Sequence, residues 1–132
     1  MPTMLSTNQR DPTVRARAMP ADTNPAGDIF GGWLMSQMDM AGEITARQRS
    51  RTRVVTVAVD AMTFHKPVHV GDVVSCYTEI ERVGRTSITV RIEAVAMRQD
   101  SGNNVPVTEA VFVYVALGED GLPTEVGPST EH

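Results

Sequence analysis

Hydrophobic and polar positions follow two different periods along the chain. Over residues 31–48 the apolar positions recur every three or four residues and cover much of a helical circumference, which predicts one long, largely buried helix. The run at 54–59 is apolar on both faces and predicts a central strand covered on both sides. Apolar and polar residues alternate over 88–96, and spaced valines mark another strand over 107–117. A short first strand is predicted at 13–19.

Turn-forming residues join these elements into one domain. The loop at 20–30 is rich in Pro, Asn, Asp and Gly, with Asp28 as the predicted N-cap of the helix, and short turns follow at 83–85 and 101–104. No helix is predicted between the later strands, which excludes a doubly wound α/β fold. We therefore predict an α+β domain over residues 13–118, with an antiparallel sheet of about five strands around one helix. Residues 1–12 are expected to fray, and residues 119–132 to form a flexible tail.

Composition narrows the possible functions. The chain has 132 residues, a net charge of −4 and 41% hydrophobic residues, which fit a single packed domain. The negative charge argues against a nucleic-acid-binding protein. No long apolar run predicts a membrane helix, and the first residues lack the apolar segment of a signal peptide, so we expect a cytoplasmic protein. The single cysteine, Cys76, excludes an intramolecular disulfide and fits a small buried residue.

Asp39 is the residue that most strongly indicates chemistry. On a helical wheel it lies on a row that is otherwise apolar or small, formed by Gly32, Met35, Gly42 and Ala46. Burying a carboxylate is costly unless it has partners, and burial also makes it a better general base. A structural carboxylate held by a nearby donor explains the pattern as well. Both interpretations remain open from the residues alone.

The start of the predicted helix is a second candidate feature. Gly31 and Gly32 would let another molecule approach the backbone closely, and the first N–H groups of a helix have no partner within it. Such donors stabilise an oxyanion when a carbonyl is attacked. A closely packed helix start is the alternative explanation of the glycine pair.

The histidines do not predict a metal site. His65 and His69 are four residues apart, but Pro67 between them argues against a helix that would turn both in one direction. His132 is the last residue, and no third ligand has a recognisable spacing. The chain also lacks the GxSxG motif of serine hydrolases and a P-loop.

Three segments carry a family pattern: PADTNPAGDIFGGWLMSQMDMAGEITA, VVTVAVDAMTFHKPVHVGDVV and VGRTS. Together they resemble the bacterial acyl-CoA thioesterases of the YciA type, which belong to the hotdog-fold superfamily and are related to the mammalian brain-type acyl-CoA hydrolases. The resemblance covers residues 19–117. It implies a hotdog fold and hydrolysis of acyl-CoA to free CoA and a carboxylic acid, with no cofactor besides the CoA of the substrate.

The resemblance also implies roles for individual residues. The essential carboxylate of the family falls on Asp39, as general base or nucleophile, and the asparagine that assists it in some relatives falls on Asn24. The backbone N–H groups of Gly31 and Gly32 would polarise the thioester carbonyl. Phe30 stands where brain-type relatives have a histidine, so the role of that histidine is not carried over. The CoA contacts of the family fall on Lys66, Arg85, Thr86 and Ser87.

Assembly follows from the same resemblance. It implies a homodimer, assembled further into a trimer of dimers, in which Asn24 and Asp39 of one site come from different chains. Two other functions stay open: a dehydratase or hydratase acting on acyl thioesters, and a non-catalytic acyl-CoA-binding sensor. The first generally needs a histidine in or just before the helix, where this chain has none. The second gains nothing from burying a carboxylate such as Asp39.

Overall fold

The computed structural model describes residues 11–129, which form one long α-helix and five strands. The elements are β1 (Val14–Arg17), a 3-10 turn (Pro20–Asp22), α1 (Gly31–Ser50), β2 (Arg53–Phe64), β3 (Val73–Val83), β4 (Ser87–Met97) and β5 (Asn104–Leu117). Within this range no helix is long and apolar enough to cross a membrane. Most of the N-terminus that was predicted to fray, and the last three residues of the tail, lie outside the described residues.

The five strands form one antiparallel sheet in the order β1-β3-β4-β5-β2. The sheet curls around α1, which contacts every strand. Short turns connect β3 to β4 and β4 to β5, as antiparallel neighbours allow. This is the architecture of a hotdog fold, and the predicted α+β class is confirmed.

The core lies between α1 and the concave face of the sheet. Leu34 and Met38 turn inward from the helix and pack with fully buried residues such as Phe112 on β5. Burying each of these large side chains contributes about 1.5–3 kcal/mol. The helix is not covered all round, because Met40 and Ile44 on its other side are 48% and 38% exposed. The prediction of a helix buried over most of its surface is therefore wrong for a single chain.

The strand β2 also differs from its prediction. It lies at the edge of the sheet and pairs only with β5, whereas a central strand was expected. Val55, Val57 and Val59 are 42%, 54% and 40% exposed, while Val54 packs against the core. The run is apolar on both faces, but one chain covers only one of them. An exposed apolar edge strand of this kind indicates an interface.

The described part of the C-terminal segment, where a flexible tail is predicted, contacts the domain. The side chain of Val126 is buried in the core, and its N–H donates to the carbonyl of Arg85 at 2.9 Å. Arg49 Nη2 donates to the carbonyl of Gly127 at 3.0 Å. One buried valine and these hydrogen bonds hold the segment, and a single apolar residue in a polar stretch is a weak signal in the sequence.

Candidate active site

Asp39 points from α1 towards the sheet, where two strands supply its partners. Thr56 Oγ1 on β2 donates a hydrogen bond to Asp39 Oδ1 at 2.7 Å, and Tyr114 Oη on β5 donates to the same oxygen at 3.0 Å. Within the described part of the chain, Asp39 Oδ2 accepts no hydrogen bond. The half-buried carboxylate thus has one anchored oxygen and one free oxygen.

The register of the sheet brings the two donors together. Thr56 and Tyr114 are directly paired across β2 and β5, so their side chains leave the sheet on the same face. Neither residue was predicted as part of the site. The available signal was a hydroxyl at an inward position of each strand, but the register that pairs them is not visible in a single sequence.

Gly42 makes room for the tyrosine. A Cβ atom at this helix position would collide with Tyr114 Oη and would lie 2.8 Å from Ile92 Cδ1. Burial raises the pKa of Tyr114 well above its usual range, and the nearby charges of Asp39 and Glu43 raise it further. The phenol therefore stays protonated and acts as a hydrogen-bond donor.

The loop before α1 is held by its own polar side chains. Asn24 Oδ1 accepts hydrogen bonds from the N–H groups of Ala26 at 3.0 Å and Asp28 at 3.1 Å. The N–H of Phe30 donates to the carbonyl of Asp22 at 3.0 Å. The oxygen of Asn24 is therefore used within its own loop, and only its amide NH2 group remains for other contacts.

The start of α1 leaves two N–H groups unused by the helix. Phe30 is the N-cap and makes no side-chain cap, so the prediction of Asp28 as N-cap is wrong by two residues. The N–H of Trp33 donates to the carbonyl of Phe30 at 3.1 Å, and the N–H groups of Gly31 and Gly32 precede this bond. Both glycines are exposed at the positive end of the helix dipole.

An apolar cleft of about 310 Å³ opens beside these glycines. Its walls include the exposed rings of Phe30 and Phe64, and Lys66 lies at its edge. The other lining residues are Ile29, Gly31, Leu34, His65, Pro67 and Val68. Apolar walls beside free backbone donors suit a ligand with both an apolar chain and a polar carbonyl group.

Comparison with known proteins identifies the family. Residues 26–101 match the thioesterase superfamily, from the loop before α1 into the turn after β4. The chain belongs to the thioesterase superfamily. The resemblance to YciA-type thioesterases is confirmed by relatives about half identical to this chain over most of its length.

Individual members of the superfamily resemble this chain over nearly its whole length. The acyl-CoA thioester hydrolase YciA of Salmonella typhimurium is 52% identical over 126 residues, which cover 93% of this chain and 95% of the relative. A hexameric thioesterase of Yersinia pestis superimposes with a TM-score of 0.85 at 51% identity, covering 89% of this chain and 97% of that one. A hexameric hotdog-fold thioesterase of Campylobacter jejuni has a TM-score of 0.86 at 45% identity, with 89% and 91% coverage.

Within one chain, Asp39 and the start of α1 lie apart. Asp39 lies eight residues after Gly31 on α1, so about 12 Å of helix separates them. Asn24 lies in the loop before the helix, on the side of Gly31. Asp39 and the glycine N–H groups of the same chain therefore lie about two helical turns apart.

The predicted CoA contacts are separated as well. Lys66 follows the end of β2 beside the apolar cleft, whereas Arg85 and Thr86 lie in the turn between β3 and β4 and Ser87 begins β4. On β5, Val115 pairs with Ser87 and Thr108 pairs with Phe64. The two groups therefore lie near opposite ends of the sheet, about 23 Å apart along β5.

The surroundings of Cys76 and of the histidines do not indicate a role in catalysis or metal binding. Burial raises the pKa of the Cys76 thiol to about 12, which leaves it protonated and unreactive. His65 Nε2 lies 4.0 Å from Glu109 Oε1 on the sheet. Across the described residues no group of three or more His, Cys, Asp or Glu could hold a metal ion, and His132 lies outside that range.

Proposed function

We propose that this protein is an acyl-CoA thioester hydrolase in which Asp39 activates the attacking water. The observation that carries the proposal is the carboxylate anchored through Oδ1 by Thr56 and Tyr114, with Oδ2 free. It stands in a chain about half identical to a named acyl-CoA thioester hydrolase. A thioester is activated enough to react with a positioned water, a carboxylate base and an oxyanion site, without a serine–histidine pair.

The reaction balances with groups of the chain alone. Asp39 Oδ2 takes a proton from water while the water oxygen bonds to the thioester carbon. The N–H groups of Gly31 and Gly32 stabilise the negative charge on the carbonyl oxygen. The carbon–sulfur bond then breaks, the sulfur takes the proton, and free CoA and a carboxylic acid leave. No cofactor is needed beyond the CoA of the substrate. Direct attack by Asp39 through an anhydride is the second route.

The catalytic site spans two protomers in this proposal. Because about 12 Å of helix separates Asp39 from Gly31, the glycine pair and Asn24 of one copy act with Asp39 of a second copy. The exposed valines on the edge of β2 supply an apolar surface for that association. A homodimer, assembled as a trimer of dimers, agrees with the hexameric relatives.

The phosphates of CoA meet cations at the two sheet ends. Lys66 and Arg85 are exposed, and each carries a positive charge suited to a phosphate group. Thr86 and Ser87 add hydroxyl donors beside Arg85. Since the two groups lie near opposite ends of the sheet in one chain, two protomers contribute the contacts to one CoA in this proposal. A single buried cysteine suits a reducing compartment, and the proposed location is the cytoplasm.

The substitution Asp39→Asn tests the base. It removes the proton acceptor but keeps the shape, so kcat for acyl-CoA should fall about 100- to 10,000-fold while the melting temperature stays nearly unchanged. The measurement is release of free thiol, followed with a thiol-reactive dye over a panel of acyl chain lengths. The control is Asp100→Asn, which removes the same charge from an exposed turn.

Three results would contradict the proposal. Near-normal thiol release by the Asp39→Asn protein would exclude this residue as the base. Tight acyl-CoA binding by the unmodified protein without thiol release over hours would indicate a binding module. Enoyl products from a 3-hydroxyacyl-CoA, separated by chromatography, would indicate a dehydratase.

A further inference from the structure

We infer that Tyr114 is a positioning residue for the hydrolysis, which selects the oxygen of Asp39 that acts on water. The inference rests on the proposed role of Asp39 as the base. Tyr114 is fully buried on β5, and its hydroxyl lies 3.0 Å from Asp39 Oδ1 and 3.1 Å from the backbone oxygen of Asp39. A charged oxygen is the stronger acceptor, so the phenol proton belongs mainly to the carboxylate.

Two donors on one oxygen fix the carboxylate plane. The terminal torsion of an aspartate side chain is broad and roughly two-fold, so a single hydrogen bond leaves the carboxylate free to turn. Thr56 approaches Oδ1 from β2 and Tyr114 approaches it from β5. With both donors in place, Oδ1 is saturated and Oδ2 is the oxygen presented to water.

Packing alone does not explain the hydroxyl of Tyr114. Its ring lies 6.3 Å from that of Phe112, nearly parallel to it, in an apolar core where phenylalanine would fill the same space. The hydroxyl fits only because Gly42 has no side chain, since a Cβ there would collide with it. The helix therefore leaves space at Gly42, and the sheet supplies the tyrosine that contacts Asp39.

The charges near this contact keep the phenol in its donor role. Asp39 and Glu43 on α1 carry the negative charges that act on Tyr114, and Glu43 is also 3.5 Å from Arg47. Thr56 on β2 is neutral. Burial and these anions raise the pKa of Tyr114 far above neutral. The phenol therefore keeps its proton, donates a hydrogen bond with it, and does not transfer it in the reaction.

The first test is Tyr114→Phe, which deletes only the hydroxyl. We expect kcat to fall about tenfold or more because the base is no longer held in line with water, and KM to change little. The acid limb of the pH profile of kcat should move to higher pH, because a carboxylate that loses a donor is protonated more readily. The matched control is Tyr77→Phe. Tyr77 is the other tyrosine of the chain, buried on the face of β3 that points away from α1, and removal of its hydroxyl should leave both quantities unchanged.

A second measurement does not depend on turnover or on the stability of Tyr114→Phe. In the Tyr77→Phe protein Tyr114 is the one tyrosine left, so biosynthetic 3-fluorotyrosine labels that position alone. Its 19F resonance should shift with pH at the midpoint of the acid limb of kcat. The shift should vanish when Asp39→Asn is added, which separates Asp39 from Glu43 as its source.

The possible outcomes separate this inference from the proposed function. If Tyr114→Phe keeps kcat within twofold, or loses activity without moving the acid limb, Tyr114 does not position the base. A 19F resonance that ignores pH, or that titrates equally with Asp39→Asn present, overturns the inference as well. If instead Asp39→Asn turns over acyl-CoA normally, the proposed base itself is wrong.

Discussion

Asn24 shows how the hydrogen bonds of a loop limit what a side chain can offer to a substrate. Its Oδ1 already accepts from the N–H groups of Ala26 and Asp28. An asparagine has two donor hydrogens on its amide nitrogen in addition to that acceptor. Any contribution of Asn24 to catalysis therefore comes from the amide nitrogen, or indirectly from the shape of the loop.

Two substitutions separate these contributions. Asn24→Asp keeps an acceptor for the loop and replaces the NH2 donor, so we expect kcat to fall about tenfold while the melting temperature stays close to that of the unmodified protein. Asn24→Ala removes both functions, and we expect lower kcat and a lower melting temperature. Thiol release and thermal unfolding measure the two effects. Full activity in Asn24→Asp together with a loss in Asn24→Ala would mean that Asn24 acts only through its loop.

The sequence revealed part of this site and concealed the rest for physical reasons. Asp39 stood out because a helix repeats every 3.6 residues, so a carboxylate on an apolar row is visible without a structure. Its partners Thr56 and Tyr114 are 17 and 75 residues away in the chain. They meet it through a strand register that no local pattern specifies. Asp28 was misjudged because its carbonyl accepts from the N–H of Asn24 within the loop, and the carbonyl of Phe30 accepts the first bond of the helix instead.

Among the elements, the connection between β2 and β3 depends on one buried ion pair. Asp72 is 2% exposed and accepts hydrogen bonds from the N–H groups of His69 at 2.9 Å and Gln99 at 3.2 Å. Arg98, which follows β4, lies 2.6 Å from the same carboxylate. Burial alone would raise the pKa of Asp72, but the two N–H donors and Arg98 outweigh it and hold the pKa below 3.8.

That depressed pKa makes stability depend on pH in a defined direction. The ionised Asp72 stabilises the fold at pH values above 3.8, and this contribution is lost as the pH falls through the lower pKa of the folded protein. Asp72→Asn should reduce the free energy of unfolding by about 1–3 kcal/mol at pH 7, since it removes the buried charge that Arg98 and the two N–H groups bind. The difference in the free energy of unfolding between Asp72→Asn and the unmodified protein should become smaller at acid pH. Urea unfolding at pH 7 and near pH 3 measures both effects.

Asp100→Asn removes a carboxylate from the exposed turn close to the same pair and should leave stability within about 0.5 kcal/mol. If Asp72→Asn were equally harmless, the ion pair would not hold this connection. A constant deficit from pH 7 to pH 3 would show that the titration of Asp72 contributes nothing.

The elements themselves were easier to predict than their positions in the sheet. The helix and the β4 and β5 strands follow from periods of 3.6 and two residues, and the turns follow from glycine and asparagine. The order β1-β3-β4-β5-β2 does not follow from those patterns. The apolar run of β2 was assigned to the centre of the sheet because periodicity reports how many faces are covered, not which molecule covers them.

At the scale of the whole molecule, the exposed apolar surfaces of β2 and α1 support a site formed by two chains. These are the surfaces that were predicted to be buried and are not buried in one chain. Val55, Val57 and Val59 on β2 and Met40 on α1 are exposed in one chain. Monomeric proteins rarely leave large contiguous apolar patches in contact with water. A second copy seated on this edge would cover the valines.

Mixing two inactive variants tests whether one site needs two chains. Asp39→Asn removes the base, and Gly31→Pro or Gly32→Pro removes one N–H in the first turn of α1, where proline is tolerated. The glycine variant that lacks activity is unfolded in urea together with Asp39→Asn at equal amounts, and the mixture is refolded. In a two-fold dimer half of the pairs are mixed, and one of the two sites in each mixed pair holds both intact groups, so about a quarter of the unmodified activity should return.

The controls give each outcome a single meaning. Each variant refolded alone should stay inactive, and refolded unmodified protein sets the full activity. If Asp39 and the glycine pair act within one chain, every chain in the mixture lacks one group and no activity returns. We also expect the return of activity to depend on contacts made by β2. Val57→Lys, added to both variants, places a charge on the exposed apolar edge and should abolish the return of activity. Activity that returned equally with Val57→Lys present would move the shared interface away from β2.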